Sequence, residues 1–299
     1  MTELEKNELK KRIEEDAEMT ETAISQYLAD EDEDYLPLFE AMRYSTLGGG
    51  KRIRAFLIIE FCRLLNKDVV PAMPFAAAME MMHAFSLIHD DLPCMDNDDM
   101  RRGKPSNHVV YGEAGALLAG DALMIRSAEI VASNAYVRPK TALRAVRDFT
   151  SCAGCYGMAG GQQLDLIGET KQLPYETLLK MHAMKTGALI RAACLMGCYA
   201  SDRYDDDVLA DACEYAENIG LAFQIIDDIL DVTSDEATLG KHIGKDKNSG
   251  KTTFMTYMTV EEAKAKAAEL TEKAVAVMKK YKKGAVLAAF AEYLLNRNK

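Results

Sequence analysis

Between His89 and Lys104 the chain reads HDDLPCMDNDDMRRGK, with five aspartates in ten residues (Asp90, Asp91, Asp96, Asp98, Asp99), followed at once by Arg101 and Arg102. A second run, FQIIDDILD over 223–231, carries Asp227, Asp228 and Asp231. It echoes FSLIHDDLPCMD over 85–96: Phe, a polar residue, two apolar residues, then an aspartate pair, with His89 intervening only in the first copy. Asp227 and Asp231 are four apart, so on a helix they lie about 40° apart around the axis, on one face. Asp90 and Asp96 are six apart and would diverge on an unbroken helix. Pro93 disfavours helix at Leu92, so the chain turns out and brings Asp96 back. Carboxylates this crowded are costly unless cations neutralise them. Hard divalent ions suit them, above all Mg²⁺, which takes one or two carboxylates and shares the rest of its shell with water and substrate phosphates. A calcium loop of the EF-hand kind does not fit, because counting from Asp96 puts Arg101 where the loop needs glycine.

Positive charge recurs beside these carboxylates. GGGKRIRAF over 48–56 is a flexible turn leading into a helix start with Lys51, Arg52 and Arg54, a combination of backbone donors and cations that makes an anion site. Arg101 and Arg102 follow the first aspartate run, and guanidinium forks match diphosphate oxygens. Lys185 and Thr186 sit in MKTGALI, and Lys241, Lys245, Lys247 and Lys251 follow the second run. The layout suits a diphosphate held between divalent cations and cationic side chains.

Other chemistries fit less well. The segment from Gly244 to Gly250 has five intervening residues where a P-loop has four, and no buried strand precedes it. His89–Asp90 lacks the well-separated upstream histidine of a metal-dependent phosphohydrolase. The pairs Cys152/Cys155 and Cys194/Cys198 lie in Ala-, Gly- and Met-rich surroundings that read as core packing, not zinc.

The elements that must position these residues are helical. Ala, Leu, Met, Glu and Lys are plentiful, Pro numbers 7 and strand-like alternation is scarce. Helical patterns run over about 3–30, 36–47, 52–66, 72–91, 113–133, 139–158, 174–200, 205–232, 260–281 and 284–297. No linker divides the 299 residues, so one all-α domain over 1–299 is expected. Net charge of −11 argues against nucleic acid as a partner. No stretch is long and apolar enough to span a membrane, and the charged start is unlike a signal peptide. Seven cysteines, an odd number in helix-like surroundings, point to a reducing cytoplasm.

Taken in order, GGGKRIR, HDDLPCMDNDDMRRGKPSNH, GEAGALLAGDAL, GGQQLDL, KTGALI, FQIIDDILD and LGKHIGKD make the chain resemble the trans-prenyl diphosphate synthases over nearly its full length, and most of all the bacterial-type farnesyl diphosphate synthases. The resemblance implies an antiparallel helical barrel around a deep central cavity, a homodimer, and head-to-tail condensation of isopentenyl diphosphate with an allylic diphosphate. It implies Mg²⁺, three ions per site with Mn²⁺ as a substitute, on Asp90, Asp96 and Asp227, with Asp91, Asp228 and Asp231 in support. Arg101, Lys185 and Lys241 would hold the allylic diphosphate; Lys51, Arg54, His83 and Arg102 would hold isopentenyl diphosphate. Thr186 and Gln224 would face the carbocation, and Gln162 and Asp165 would support the metal shell. An aromatic five residues before the first aspartate pair, Phe85, next to Ser86, reads as a stop for a fifteen-carbon chain. Phe85 lies about 7.5 Å below Asp90 along a helix axis. A geranylgeranyl or geranyl synthase is the near alternative. A class I terpene cyclase would want more aromatic walls than a chain with 7% aromatic residues and no Trp, and a non-catalytic subunit would be expected to lose its aspartates. Two positions depart from the family pattern: Ala55 stands where Pro usually follows KRIR, and KTTFMTY lacks the usual Pro.

Overall fold

Two helices with hardly a polar face set the architecture. Residues Ile53–Leu65 (α3) bury Ala55 through Cys62 without interruption, and Ala188–Ser201 (α9) buries all but two of its positions. A helix that is apolar all round belongs inside a bundle, and these two pack on each other at the centre. Around them lie α1 (Glu3–Tyr27), α2 (Leu36–Thr46), α4 (Met73–Asp90), α5 (Asn107–Ala132), α6 (Pro139–Ala153), α7 (Met158–Thr170), α8 (Tyr175–His182), α10 (Asp206–Thr233), α11 (Val260–Met278) and α12 (Ala285–Leu295). The computed structural model describes residues 3–29, 32–66, 68–233 and 252–296. Lys241, Lys245, Lys247 and Lys251 lie outside the described residues.

The expected all-α class holds, and most helix boundaries agree to within a few residues. Four differences matter. The expected run over 139–158 stops at Ala153, and a separate helix, α7, occupies a stretch read as helix-free beyond 158. The expected run over 174–200 is interrupted by a π-helical turn, Ala183–Gly187. Helix α5 starts at Asn107, ahead of the expected 113, and breaks at Gly112 (φ 76°, ψ 162°). Met100–Arg101 (β1) and Lys104–Pro105 (β2) form a small antiparallel hairpin. Its two loop residues, Arg102 and Gly103, both have positive φ, as a two-residue primed turn requires.

Pro93 acts as expected. Helix α4 ends at Asp90, and the following turn folds back until the Asp96 amide donates to the Asp90 carbonyl at 2.8 Å. The main core joins α3, α4 and α9 to their neighbours. A second cluster, built around Leu178, Ile225, Ile229, Phe254 and Leu270, ties α8, α10 and α11 together. The departure at Ala55 has a local reason: its N–H donates to buried Glu80 at 3.1 Å, which a proline could not do. Among the described residues, no helix is long and apolar enough to cross a membrane.

Candidate active site

A cavity of about 380 Å³ opens beside the end of α4. Helix α4 contributes His83, Phe85, Ser86 and Asp90, α3 contributes Arg54, α7 contributes Gln162, and the π turn contributes Lys185 and Thr186. Helix α4 can reach from the arginines to the aspartate because His83 and Asp90 are seven residues, two turns, apart on one face. A π turn is rare and tends to occur at functional positions; here it presents Lys185 and Thr186 together. Gly161 of α7 lets that turn come close, since a Cβ there would sit 2.2 Å from the Lys185 amide nitrogen.

The acidic side is crowded and asymmetric. Burial, with Asp96 and Asp91 adding to it against Lys185 and Arg101, pushes the Asp90 carboxyl up to about 6. Asp91 is only 2% exposed, and its carboxylate accepts from Arg101 Nε at 2.9 and 2.7 Å and from the terminal nitrogen at 2.5 Å. Asp96 is exposed at the turn. Lys185 Nζ donates to Asp165 at 2.6 Å. In the second motif, Asp227 is half-buried and accepts from Gln224 Nε2 at 3.4 Å. Asp228 is buried, accepting the Phe254 amide at 2.7 Å, and Asp231 lies a turn beyond Asp227 on α10. Asp227 and Gln224 are not among the cavity-lining residues; α10 is joined to the site through the π turn against which it packs.

The basic side crowds cations. Burial and then the charges of Arg54, Arg102, Arg101 and Arg52 hold His83 well below the usual histidine range. Burial and Arg102 depress Arg54, whose Nε is buried without a hydrogen-bond partner. Burial and then Arg52 depress Arg102, with Glu80 opposing. Arg102 is fixed by a bond from its guanidinium to the Gly49 carbonyl and by lying against Gly50. Arg52 is instead part of the frame, donating to Glu21 at 2.8 Å beside Glu80. Lys51 is exposed and lies over the Tyr293 ring of α12 at 5.9 Å. Cations that depress one another favour an anion among them.

The carboxylates fit hard divalent ions. Asp90 and Asp96 are brought together by a backbone bond, and the Asp90 carboxyl is raised chiefly by burial and then by Asp96, costs that a bound cation would offset. No group of three acidic, His or Cys side chains among the described residues is placed to hold a metal by itself, so an ion held by Asp90 and Asp96 would need water or substrate phosphate to complete its shell. The same cavity also has apolar lining, with Phe85, Leu87, Met95, Met158 and Leu166. The structure thus places Arg54, His83, Phe85, Ser86, Asp90, Lys185 and Thr186 around one cavity and leaves Lys51 at the surface. His182, which bonds Gln224, was not singled out from the sequence; one histidine at the end of the eight-residue helix YETLLKMH carries no periodic signal.

The polyprenyl synthetase family model matches residues 37–293. The farnesyl diphosphate synthase of Escherichia coli (strain K12) is 42% identical over 283 residues, 93% of this chain and 95% of the relative. The geranylgeranyl diphosphate synthase of Cyanophora paradoxa is 43% identical over 264 residues, 87% of this chain and 88% of the relative. Among solved structures, an FPP/GFPP synthase from Zymomonas mobilis superposes with a TM-score of 0.87 at 34% identity, covering 96% of this chain and 99% of that one. Fold, cavity and paired aspartate motifs agree with this kinship: the chain belongs to the polyprenyl synthetase family.

Proposed function

We propose that this chain is a prenyltransferase that condenses isopentenyl diphosphate with dimethylallyl or geranyl diphosphate to give (E,E)-farnesyl diphosphate. The observation that carries this reading is one apolar cavity bearing Asp90 and Lys185 at one side and Arg54 and His83 at another, with Phe85 in its wall. The relatives named above include a farnesyl synthase at 42% identity.

Asp90, Asp96 and Asp227 would hold Mg²⁺, three ions per site, with Mn²⁺ as a substitute; Asp91, Asp228 and Asp231 support that set. When bound, the cations stabilise the negative charge that develops on the departing diphosphate. Arg101, Lys185 and Lys241 bind the same diphosphate, while Lys51, Arg54, His83 and Arg102 bind isopentenyl diphosphate. The allylic C–O bond breaks, the isopentenyl double bond attacks the allylic carbon, and the released diphosphate takes the final proton. Thr186 and Gln224 offer dipoles to the carbocation, the apolar wall excludes water that would trap it, and Gln162 and Asp165 steady the polar edge. Phe85, next to Ser86, ends the growing chain.

The whole reaction sits on one all-α domain, 1–299, acting in the cytoplasm, where its seven free thiols would stay reduced. It works as a homodimer: Leu117, Leu118 and Ile125 on α5 and Leu143 on α6 are large, apolar and exposed. Geranylgeranyl diphosphate synthase is the second reading, favoured by the comparable identity of the Cyanophora relative. The test is incubation with Mg²⁺, isopentenyl diphosphate and either starter, with products identified by mass. A fifteen-carbon product, lengthened by Phe85→Ala, is expected. A twenty-carbon product from the unaltered protein supports the second reading, and no condensation by folded protein rejects both.

A further inference from the structure

His182 is the last residue of α8, directly before the turn that carries Lys185 and Thr186, and is 7% exposed. Its ring stacks on Phe254, with centroids 4.9 Å apart and planes 17° off parallel. Its Nδ1 lies 3.1 Å from Gln224 Oε1, and Gln224 Nε2 lies 3.4 Å from Asp227 Oδ2.

Only one arrangement of protons satisfies this row of atoms. The Asp227 carboxylate accepts and cannot donate, so Gln224 must turn its NH₂ group toward it. The amide oxygen then faces His182. That oxygen also only accepts, so Nδ1 must carry the ring hydrogen. Burial pushes His182 down to about 4, so the ring holds one proton and its Nε2 is a bare lone pair. The buried Nε2 indeed has no hydrogen-bond partner, a place where a second N–H would be costly. With the opposite tautomer, Gln224 would flip and aim its oxygen at Asp227, setting acceptor against acceptor.

We propose that His182 is a positioning residue, whose Nδ1–H fixes the Gln224 amide so that its NH₂ group faces Asp227, and that it supports turnover only through Gln224. This rests on the prenyl-transfer reading in one respect, that Gln224 and Asp227 take part in the reaction. The alternative is that the ring merely packs α8 against Phe254, the first residue of a short 3₁₀ turn (Phe254–Thr256).

Two variants separate these roles. His182→Phe keeps a ring for the stack and removes the donor; His182→Asn keeps a donor near the Nδ1 position and removes the ring. Loss of one such bond is expected to lower kcat about tenfold with KM changed by less than about twofold. His182→Asn is expected to recover most of that loss. In a Gln224→Leu background, His182→Phe is expected to change kcat by less than about twofold, since its only route has already been removed. Equal losses in the Phe and Asn variants, or a full tenfold loss on top of Gln224→Leu, would overturn the proposal.

A second measurement needs no activity. Long-range ¹H–¹⁵N correlation on the full-length protein, labelled at histidine, should give a protonated Nδ1 and an unprotonated Nε2 for His182, assigned by the signal that either variant removes. A protonated Nε2 overturns the proposal even if the kinetics agree. If the unaltered protein makes no prenyl chain, the prenyl-transfer reading fails, and the spectrum still decides the tautomer.

Discussion

The two aspartate motifs share a sequence pattern and differ in backbone. The first sits where α4 ends: Pro93 stops the helix, a turn carries Asp96 back to the Asp90 carbonyl, and a hairpin returns Arg101 to Asp91. The second stays inside α10, where the four-residue spacing of Asp227 and Asp231 needs no turn. Yet within each pair the labour divides alike. Asp90 and Asp227 are half-buried, whereas Asp91 and Asp228 are 2% and 9% exposed and each is gripped by a protein donor. The second aspartate of each pair anchors a neighbouring segment, the hairpin in one case and the chain entering at Phe254 in the other. The partner differs in charge, a guanidinium against a neutral amide, so the two anchors should differ in strength.

Substitutions can break this division or sharpen it. Asp90→Asn is expected to lower kcat/KM by roughly a thousandfold, about 4 kcal/mol of transition-state stabilisation, with a melting temperature no lower than that of the unaltered protein and raised where the buried charge is relieved. Steady-state kinetics beside circular dichroism check it, and a melt that falls with activity would mean that Asp90 is an anchor too. Asp91→Asn leaves the Arg101 guanidinium without its charged partner and is expected to cost about 3–5 kcal/mol of stability, measured by denaturant unfolding.

Each region carries a histidine that burial holds below its ordinary range, His83 beside the first motif and His182 beside the second. His182 is depressed from 6.5 to about 4, chiefly by burial, with the facing charges of Asp165 and Lys185 opposing each other. The unfolded chain therefore binds a proton that the folded chain refuses between these values. Stability from this group is complete above about pH 6.5 and is lost as pH falls toward 4, by on the order of 3 kcal/mol. Unfolding curves across that window should fall more steeply for the unaltered protein than for His182→Phe; parallel curves would contradict the shift. The smallest effect is expected at Asp228→Asn, which keeps an oxygen for the Phe254 amide and loses only the charge. About 1–2 kcal/mol is expected, again by denaturant unfolding, and a loss as large as at Asp91 would erase the distinction between the two anchors.

Much of this was legible in the residues. Pro93 announced the turn at Asp96, because proline restricts both its own φ and its predecessor's backbone. Scarce proline and the lack of strand-like alternation announced the all-α class. What stayed hidden was set by contacts distant in sequence. Helix α7 has no expected counterpart, and Gly160 and Gly161 in its first turn weaken its helical pattern; Gly161 lets Lys185 approach, a fact of packing and not of propensity. The π turn has no period of its own to read in a sequence. The pairing of Asp91 with Arg101 depends on the hairpin that brings a residue ten positions later back onto α4, and Arg102–Gly103 is not one of the strong turn dipeptides.

The contact between Arg102 and the glycine turn has a consequence for which sequences the loop over 48–50 can accept. Gly49 (φ +87°) has nothing within 4 Å of where a Cβ would go, so its constraint is its own backbone, and asparagine is the residue best able to replace it. Gly50 (φ +124°) is bounded a second time, because a Cβ there would fall 2.8 Å from the Arg102 guanidinium carbon. Two adjacent glycines that look interchangeable thus answer differently: one to its local conformation alone, the other also to an arginine fifty-two positions away. Any variant of the hairpin that withdraws Arg102 relaxes the steric limit at position 50 and leaves position 49 as it was.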